Sequence, residues 1–144
     1  TGVKASGLFK GKNLVVVTHS AGFRAPDTQE LSDKNRRTIL KEGGKVLTAQ
    51  HAFGGVGRAV RKKLGTYEMD EIVAYTLRNF GEGVKVAVEI ALMACDAGLI
   101  RSDEEVISIG GTSNGADTAI VVRPANASNF FDLRVKEIIC KPRL

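Results

Sequence analysis

Ile109-Gly110-Gly111-Thr112-Ser113-Asn114-Gly115-Ala116-Asp117-Thr118 is the stretch around which this chain is organised. The apolar run Val106 to Ile109 enters it, and a second run, Ala119 to Val122, leaves it. Between them stand glycines, hydroxyl side chains, an Asn and an Asp. Glycine reaches positive φ without strain and lets a ligand approach main-chain N–H groups with no Cβ in the way. One reading is an anion-holding loop at the end of a buried strand. The other is a hairpin connection, for which Asn114-Gly115 is a standard signal. The stretch alone leaves both open.

The surrounding composition sets bounds. A chain of 144 residues, 43% hydrophobic and 26% charged, is expected to form one globular domain, residues 1–144. No run of 18 apolar residues spans a membrane, and no signal peptide is visible, so a cytoplasmic protein is expected. Cys95 and Cys140 lie in apolar segments and read as buried thiols. With two His and no Cys-x-x-Cys, no metal site is expected. The net charge of +5 gathers at Arg36, Arg37 and Lys41 and at Arg58, Arg61, Lys62 and Lys63. Neither cluster carries interleaved aromatics or a DNA-reading motif, so both read as solvated helix faces rather than a nucleic-acid surface.

Working outward from the loop, the pattern alternates strands and helices. Val3 to Phe9 is weakly helical behind Thr1-Gly2. Leu14 to Val17 is a continuous apolar run, the signature of a central parallel strand buried on both faces. Asp27 with Glu30 reads as a capping box opening a helix from about Thr28 to Lys41, closed by Gly43-Gly44. Lys45 to Ala49 is a second short strand. A glycine-rich turn, Gly54-Gly55-Val56-Gly57, follows it, without the spacing of a dinucleotide fingerprint. Asp70 opens a helix with apolar residues at 72, 73, 77 and 80, and Gly81 and Gly83 interrupt it. Val84 to Ala97 is apolar almost all round, the mark of a buried helix, with Glu89 reading as a partner for Lys85 one turn earlier. Asp132 to Cys140 reads as a final edge strand. The order strand–helix–strand–helices–strand predicts a doubly wound α/β sheet.

In such sheets ligands bind beyond the carboxyl ends of the strands. Here those ends are Thr18-His19-Ser20, Thr48-Ala49-Gln50-His51 and Gly110-Gly111-Thr112-Ser113, and both histidines of the chain fall there. Hydroxyls, glycine N–H groups and imidazoles suit an anionic ligand such as a phosphate ester. Arg24 and Arg58 lie just beyond two of the turns and bring charge.

Several motifs in order resemble one family. They are Gly110-Gly111-Thr112 with Gly115-Ala116-Asp117-Thr118-Ala119, and Arg123-Pro124-Ala125-Asn126 with Ser128-Asn129-Phe130-Phe131-Asp132. The Val17-Thr18-His19-x-Ala21-Gly22-Phe23 turn, Gly81-x-Gly83-Val84-Lys85-Val86 and Asp96-Ala97-Gly98-Leu99-Ile100 complete them. Together they are similar to the stand-alone pyruvate kinase C-terminal-domain-like proteins of archaea and bacteria. The resemblance implies a three-layer α/β/α sandwich with a mixed, mostly parallel sheet, whose strand after the Gly-Gly-Thr loop runs antiparallel. It also implies a strand ahead of Thr1 that this chain lacks.

What the resemblance implies for function is a binder of a phosphorylated small molecule, flavin mononucleotide (FMN) being the cofactor associated with the family. No pyruvate kinase activity follows, because the catalytic barrel is absent. Carried over by position, the site comprises Thr1, Gly2, Thr18, His19, Ser20, His51, Gly110, Gly111, Thr112, Gly115, Ala116 and Asp117. Two alternatives stand beside it. One is a hydrolase using Ser20 with His19 or His51 and an orienting Asp117 or Asp27, although no Gly-x-Ser-x-Gly elbow is present. The other is a regulatory module responding to a sugar phosphate, in which an unpaired sheet edge would be covered in a homo-oligomer.

Overall fold

The computed structural model describes residues 1–143, which form a mixed α/β protein of two compact units, Thr1–Gln50 and a second beginning at His51. None of its helices is long and apolar enough to cross a membrane, among the described residues.

The first unit contains α1 (Gly2–Leu8), β1 (Val15–Val17), α2 (Asp33–Lys41) and β2 (Lys45–Leu47). β1 and β2 are parallel, with Val15, Val16 and Val17 opposite Lys45, Val46 and Leu47. A parallel pair needs a crossover, and the loop after β1 together with α2 supplies it. β1 was expected to be buried on both faces. Instead it pairs with β2 alone among the described residues, and all three valines are half-buried. Ile39 is the one fully buried apolar side chain described in this unit. It packs where α2 turns into Gly44, whose added Cβ would lie 2.8 Å from Ile39 Cγ2.

α2 begins later than the capping-box reading placed it. Asp27 sits at φ 58, outside any helix, and Ser32 is the N-cap, its hydroxyl accepting the Asn35 N–H at 3.3 Å. Glu30 is drawn elsewhere, onto His19 and Arg24. The far end matches expectation. Gly43 takes φ 85 and donates to Leu40 O, and Gly44 donates to Ile39 O, which satisfies the last carbonyls of the helix.

The second unit contains α3 (Val56–Leu64), α4 (Met69–Arg78), α5 (Glu82–Asp96), β3 (Val106–Gly110), β4 (Thr118–Arg123), a 3₁₀ turn over Ala127–Asp132, and β5 (Arg134–Cys140). Its sheet has the order β3-β4-β5 and is antiparallel throughout. The sequence reading expected one mostly parallel sheet; among the described residues the strands instead fall in two sheets, in which only the β1–β2 pairing is parallel and both pairings of the second unit run the other way. β5 lies at an edge, as expected, and all seven of its residues are exposed. Cys140 is exposed with them, whereas Cys95 is buried on α5. The two cysteines are thus in different environments, because the strand that carries Cys140 is covered by no other described element.

α5 is the centre of this unit. Eleven of its fifteen residues are buried, which bears out the reading of an apolar helix covered on most sides. Gly81 caps it at φ 119, so the interruption falls at Gly81, while Gly83 lies inside the first turn. Ala87, Val88, Ala91 and Leu92 pack against Ile120 and Val122 of β4, with Phe53 and Ala74 completing the core. Ser108 on β3 donates to Ala87 O at 2.7 Å, so even the polar buried residue of that strand is tied to the helix.

Candidate functional site

In the first unit, the parallel strands bring two hydroxyls to the same end. Thr18 follows β1, and its N–H donates to Leu47 O at 2.9 Å, extending the ladder by one residue. Thr48 follows β2, and the Thr18 and Thr48 Oγ1 atoms lie 2.8 Å apart. The adjacent loop, residues 18–32, is folded around this pair. Gln29 Nε2 donates to His19 O at 2.9 Å and to Thr18 Oγ1 at 3.3 Å, while Gln29 Oε1 accepts the Leu31 N–H at 2.8 Å. Gly22 N donates to Thr28 O, and Phe23 N donates to Ser20 O, closing the turn that carries Ser20.

Within this loop Glu30 is gripped from two sides. One carboxylate oxygen meets His19 Nδ1, and the other accepts from Arg24 Nε at 2.5 Å. The imidazole also stacks on Phe23, with ring centroids 4.0 Å apart. Hydrogen bonding from His19 is the largest cause holding the Glu30 carboxyl below the ordinary glutamate range; desolvation opposes it, and the Arg24 hydrogen bond adds to the lowering. The site is therefore a hydroxyl pair beside an oriented imidazole and a guanidinium, all open to solvent. Of the expected residues, Thr18, His19 and Ser20 come together here. Glu30 and Gln29 were not read as site residues. The signal available was an acidic side chain in a loop already holding a His and an Arg.

Thr1 and Gly2, placed in a phosphate turn by the resemblance, stand at the start of α1. Thr1 is the N-cap of α1 without a side-chain cap bond. A Cβ at Gly2 would lie 2.9 Å from Val16 Cγ1 and 3.2 Å from Ile39 Cδ1, so glycine is required there by helix–strand packing.

In the second unit, Gly110 to Thr118 is the expected hairpin connection: Gly110 and Thr118 are register partners, and Asp117 N donates to Gly110 O at 3.1 Å. Gly115 makes the turn at φ 91, and Gly111 has no room for a Cβ against Gly115 O. Ala116 is exposed on the same loop. Asp117 organises the interior of the loop. Its Oδ2 accepts from Thr112 N at 3.0 Å and from Thr112 Oγ1 at 2.6 Å, and its Oδ1 accepts from Thr118 Oγ1 at 2.7 Å. The Thr112 hydroxyl, then that of Thr118, hold this carboxyl below the ordinary aspartate range. The donors at Thr112 that the anion-loop reading reserved for a phosphate are here occupied by a carboxylate of the chain itself.

His51 opens the turn that leads into α3. That turn is pinned from below: Phe53 N donates to Glu89 Oε1 at 2.9 Å, and Lys85 Nζ donates to Glu89 Oε2 at 2.5 Å, with Lys85 and Glu89 both buried. Glu89 is thus the partner of Lys85, as their one-turn spacing predicts. Among the described residues no group of three or more His, Cys, Asp or Glu is placed to hold a metal ion. Compared with models of known protein families, the chain matches none.

Proposed function

We propose that this protein binds a phosphate-bearing small molecule at the carboxyl end of β1 and β2, with flavin mononucleotide the candidate implied by the resemblance to pyruvate kinase C-terminal-domain-like proteins. The three-layer α/β/α sandwich implied by that resemblance belongs to the same proposal. So does the absence of pyruvate kinase activity. The observation that carries the reading is the 2.8 Å pairing of the Thr18 and Thr48 hydroxyls, tied through Gln29 to the loop that holds His19 and Arg24 on Glu30. Thr18 Oγ1 donates to His19 O at 2.8 Å and pairs with Thr48 Oγ1, and Arg24 rests on Glu30, so a phosphoryl group at these strand ends would take over the hydroxyl protons and the guanidinium in exchange for these internal bonds. The hairpin loop supports the reading less, because Asp117 fills it. The direct test is the visible spectrum of the purified protein, with mass spectrometry of what denaturation releases. Flavin bands and a released mononucleotide are expected, and Thr18→Val with Thr48→Val should abolish them. A colourless protein that fails to take up added FMN would remove the flavin assignment.

One observation favours a second reading. A carboxylate on Nδ1 is the arrangement that orients an imidazole as a general base, and Glu30 holds His19 in that way next to Ser20. In this reading the chain is a small hydrolase, with Glu30 in the orienting place that Asp117 or Asp27 was expected to fill. Ester hydrolysis lost in both His19→Ala and Ser20→Ala would support it. Hydrolysis absent from the wild-type protein would not.

A further inference from the structure

At the opposite end of the hairpin from residues 111–117, β4 ends in Arg123 and β5 begins with Arg134, and these two are register partners. Like charges directly opposite on neighbouring strands repel unless an anion lies between them. Neither guanidinium forms a salt bridge among the described residues; Asp103, held by Arg101, feels the charge of Arg123 but does not bond to it. Arg123 Nε donates to Ser102 O at 3.3 Å, and Arg134 donates only to the carbonyls of Phe131 and Leu133. Both line a cavity of about 460 Å³ together with Ser102, Asn126, Asn129 and Asp132.

The cavity wall is fixed before any ligand arrives. Asp96, the last residue of α5, accepts from Ala127 N at 2.9 Å and from Asn126 Nδ2 at 3.2 Å, which ties the β4–β5 turn to the helix. Pro124 and Ala125 are buried beneath it. Asn129 N donates to Asn126 O at 2.8 Å, and Asn129 Oδ1 accepts from Ser128, which leaves its amide N–H₂ as a donor.

We propose that this cavity is an anion site, taking the phosphate or carboxylate group of a small polyhydroxyl metabolite. The paired arginines would hold the oxyanion through their forked N–H groups, and Asp132 and Asn129 would read a neighbouring hydroxyl. The site is independent of the β1–β2 end, so either proposal can fail while the other stands.

The test is an amide NMR titration of the full chain with inorganic phosphate, at ionic strength held constant with chloride. Saturable shifts confined to Ser102, its neighbours and residues 123–134 are expected. Arg123→Gln with Arg134→Gln should weaken the response at least about tenfold, the scale of losing hydrogen bonds to a charged group. Asp132→Asn, which removes a competing negative charge without touching the arginines, should tighten it. A parallel titration with acetate separates the two oxyanions: tighter phosphate assigns a phosphorylated ligand, and tighter acetate a carboxylated one. A response that is flat, or only linear, in this segment would overturn the proposal. So would unchanged binding in Asp132→Asn.

Discussion

Glu89 takes the Lys85 ammonium on one oxygen and the Phe53 N–H on the other, inside a helix where both charged side chains are buried. Breaking a buried pair from one side strands the remaining charge, so Glu89→Ala should cost about 3–5 kcal/mol in urea denaturation. A loss under about 1 kcal/mol would mean that Lys85 escapes to water. At the surface the same chemistry is tuned rather than structural. Asp117 and Glu30 both carry lowered carboxyl pKa values, Asp117 through the Thr112 hydroxyl and Glu30 through His19. A carboxyl whose folded value lies below its unfolded value stabilises the fold above the unfolded value. That contribution is lost as pH falls through the folded value. Both loops should therefore be intact at neutral pH and loosen in acid. In Thr112→Val the Asp117 pKa should rise toward the ordinary aspartate value in an NMR titration. An unchanged value would show that the Thr112 hydroxyl bond does not form in solution.

At the scale of elements, close approach explains what glycine content alone left ambiguous. Gly83 lies in the first turn of α5, where an added Cβ would overlap Thr118 Oγ1 and Asp117 Oδ1. Gly110 faces back against Gly83 O in the same way. The glycines of the hairpin and of the helix thus let α5 and the β3–β4 end meet backbone to backbone. Gly7 in α1 has nothing within 4 Å of the same position. Gly7→Ala should therefore stabilise the protein by roughly 0.5–1 kcal/mol. Gly83→Ala should destabilise it by about 1–3 kcal/mol despite the better helix propensity, because the packed face cannot yield. Thermal denaturation of the two variants decides the matter: shifts of the same sign would contradict this account. Element positions were legible wherever periodicity ran long, as in α4, α5 and the β3–β4 hairpin. The start of α2 was not: the Asp27–Glu30 capping box was read, but Glu30 is held by His19 and Arg24, and Ser32 caps the helix instead. The exposure of Cys140 was equally hidden, because an apolar edge strand and an apolar core strand look alike in sequence.

For the molecule as a whole, the α/β class was legible from the alternation of strands and helices, and so were the parallel β1–β2 pair and the antiparallel β3–β4 hairpin. The partner of β5 was not: an apolar edge run carries no mark of the strand it pairs with, and β5 runs antiparallel to β4. The candidate site was legible in part. Polar residues at strand ends pointed to Thr18, His19 and Ser20, and the structure sets these beside Thr48. What sequence could not supply was Glu30 on His19 and Asp117 on Thr112, since both are contacts across a loop whose path no pattern encodes. The central claim is that the β1–β2 end recognises a phosphate group. The most direct test compares FMN with riboflavin, which differ by that group alone, in fluorescence titrations of the wild-type protein and of Arg24→Gln. FMN should bind at least about tenfold tighter than riboflavin, and the variant should lose most of this preference. Equal binding of the two flavins, or a preference that survives Arg24→Gln intact, would contradict it.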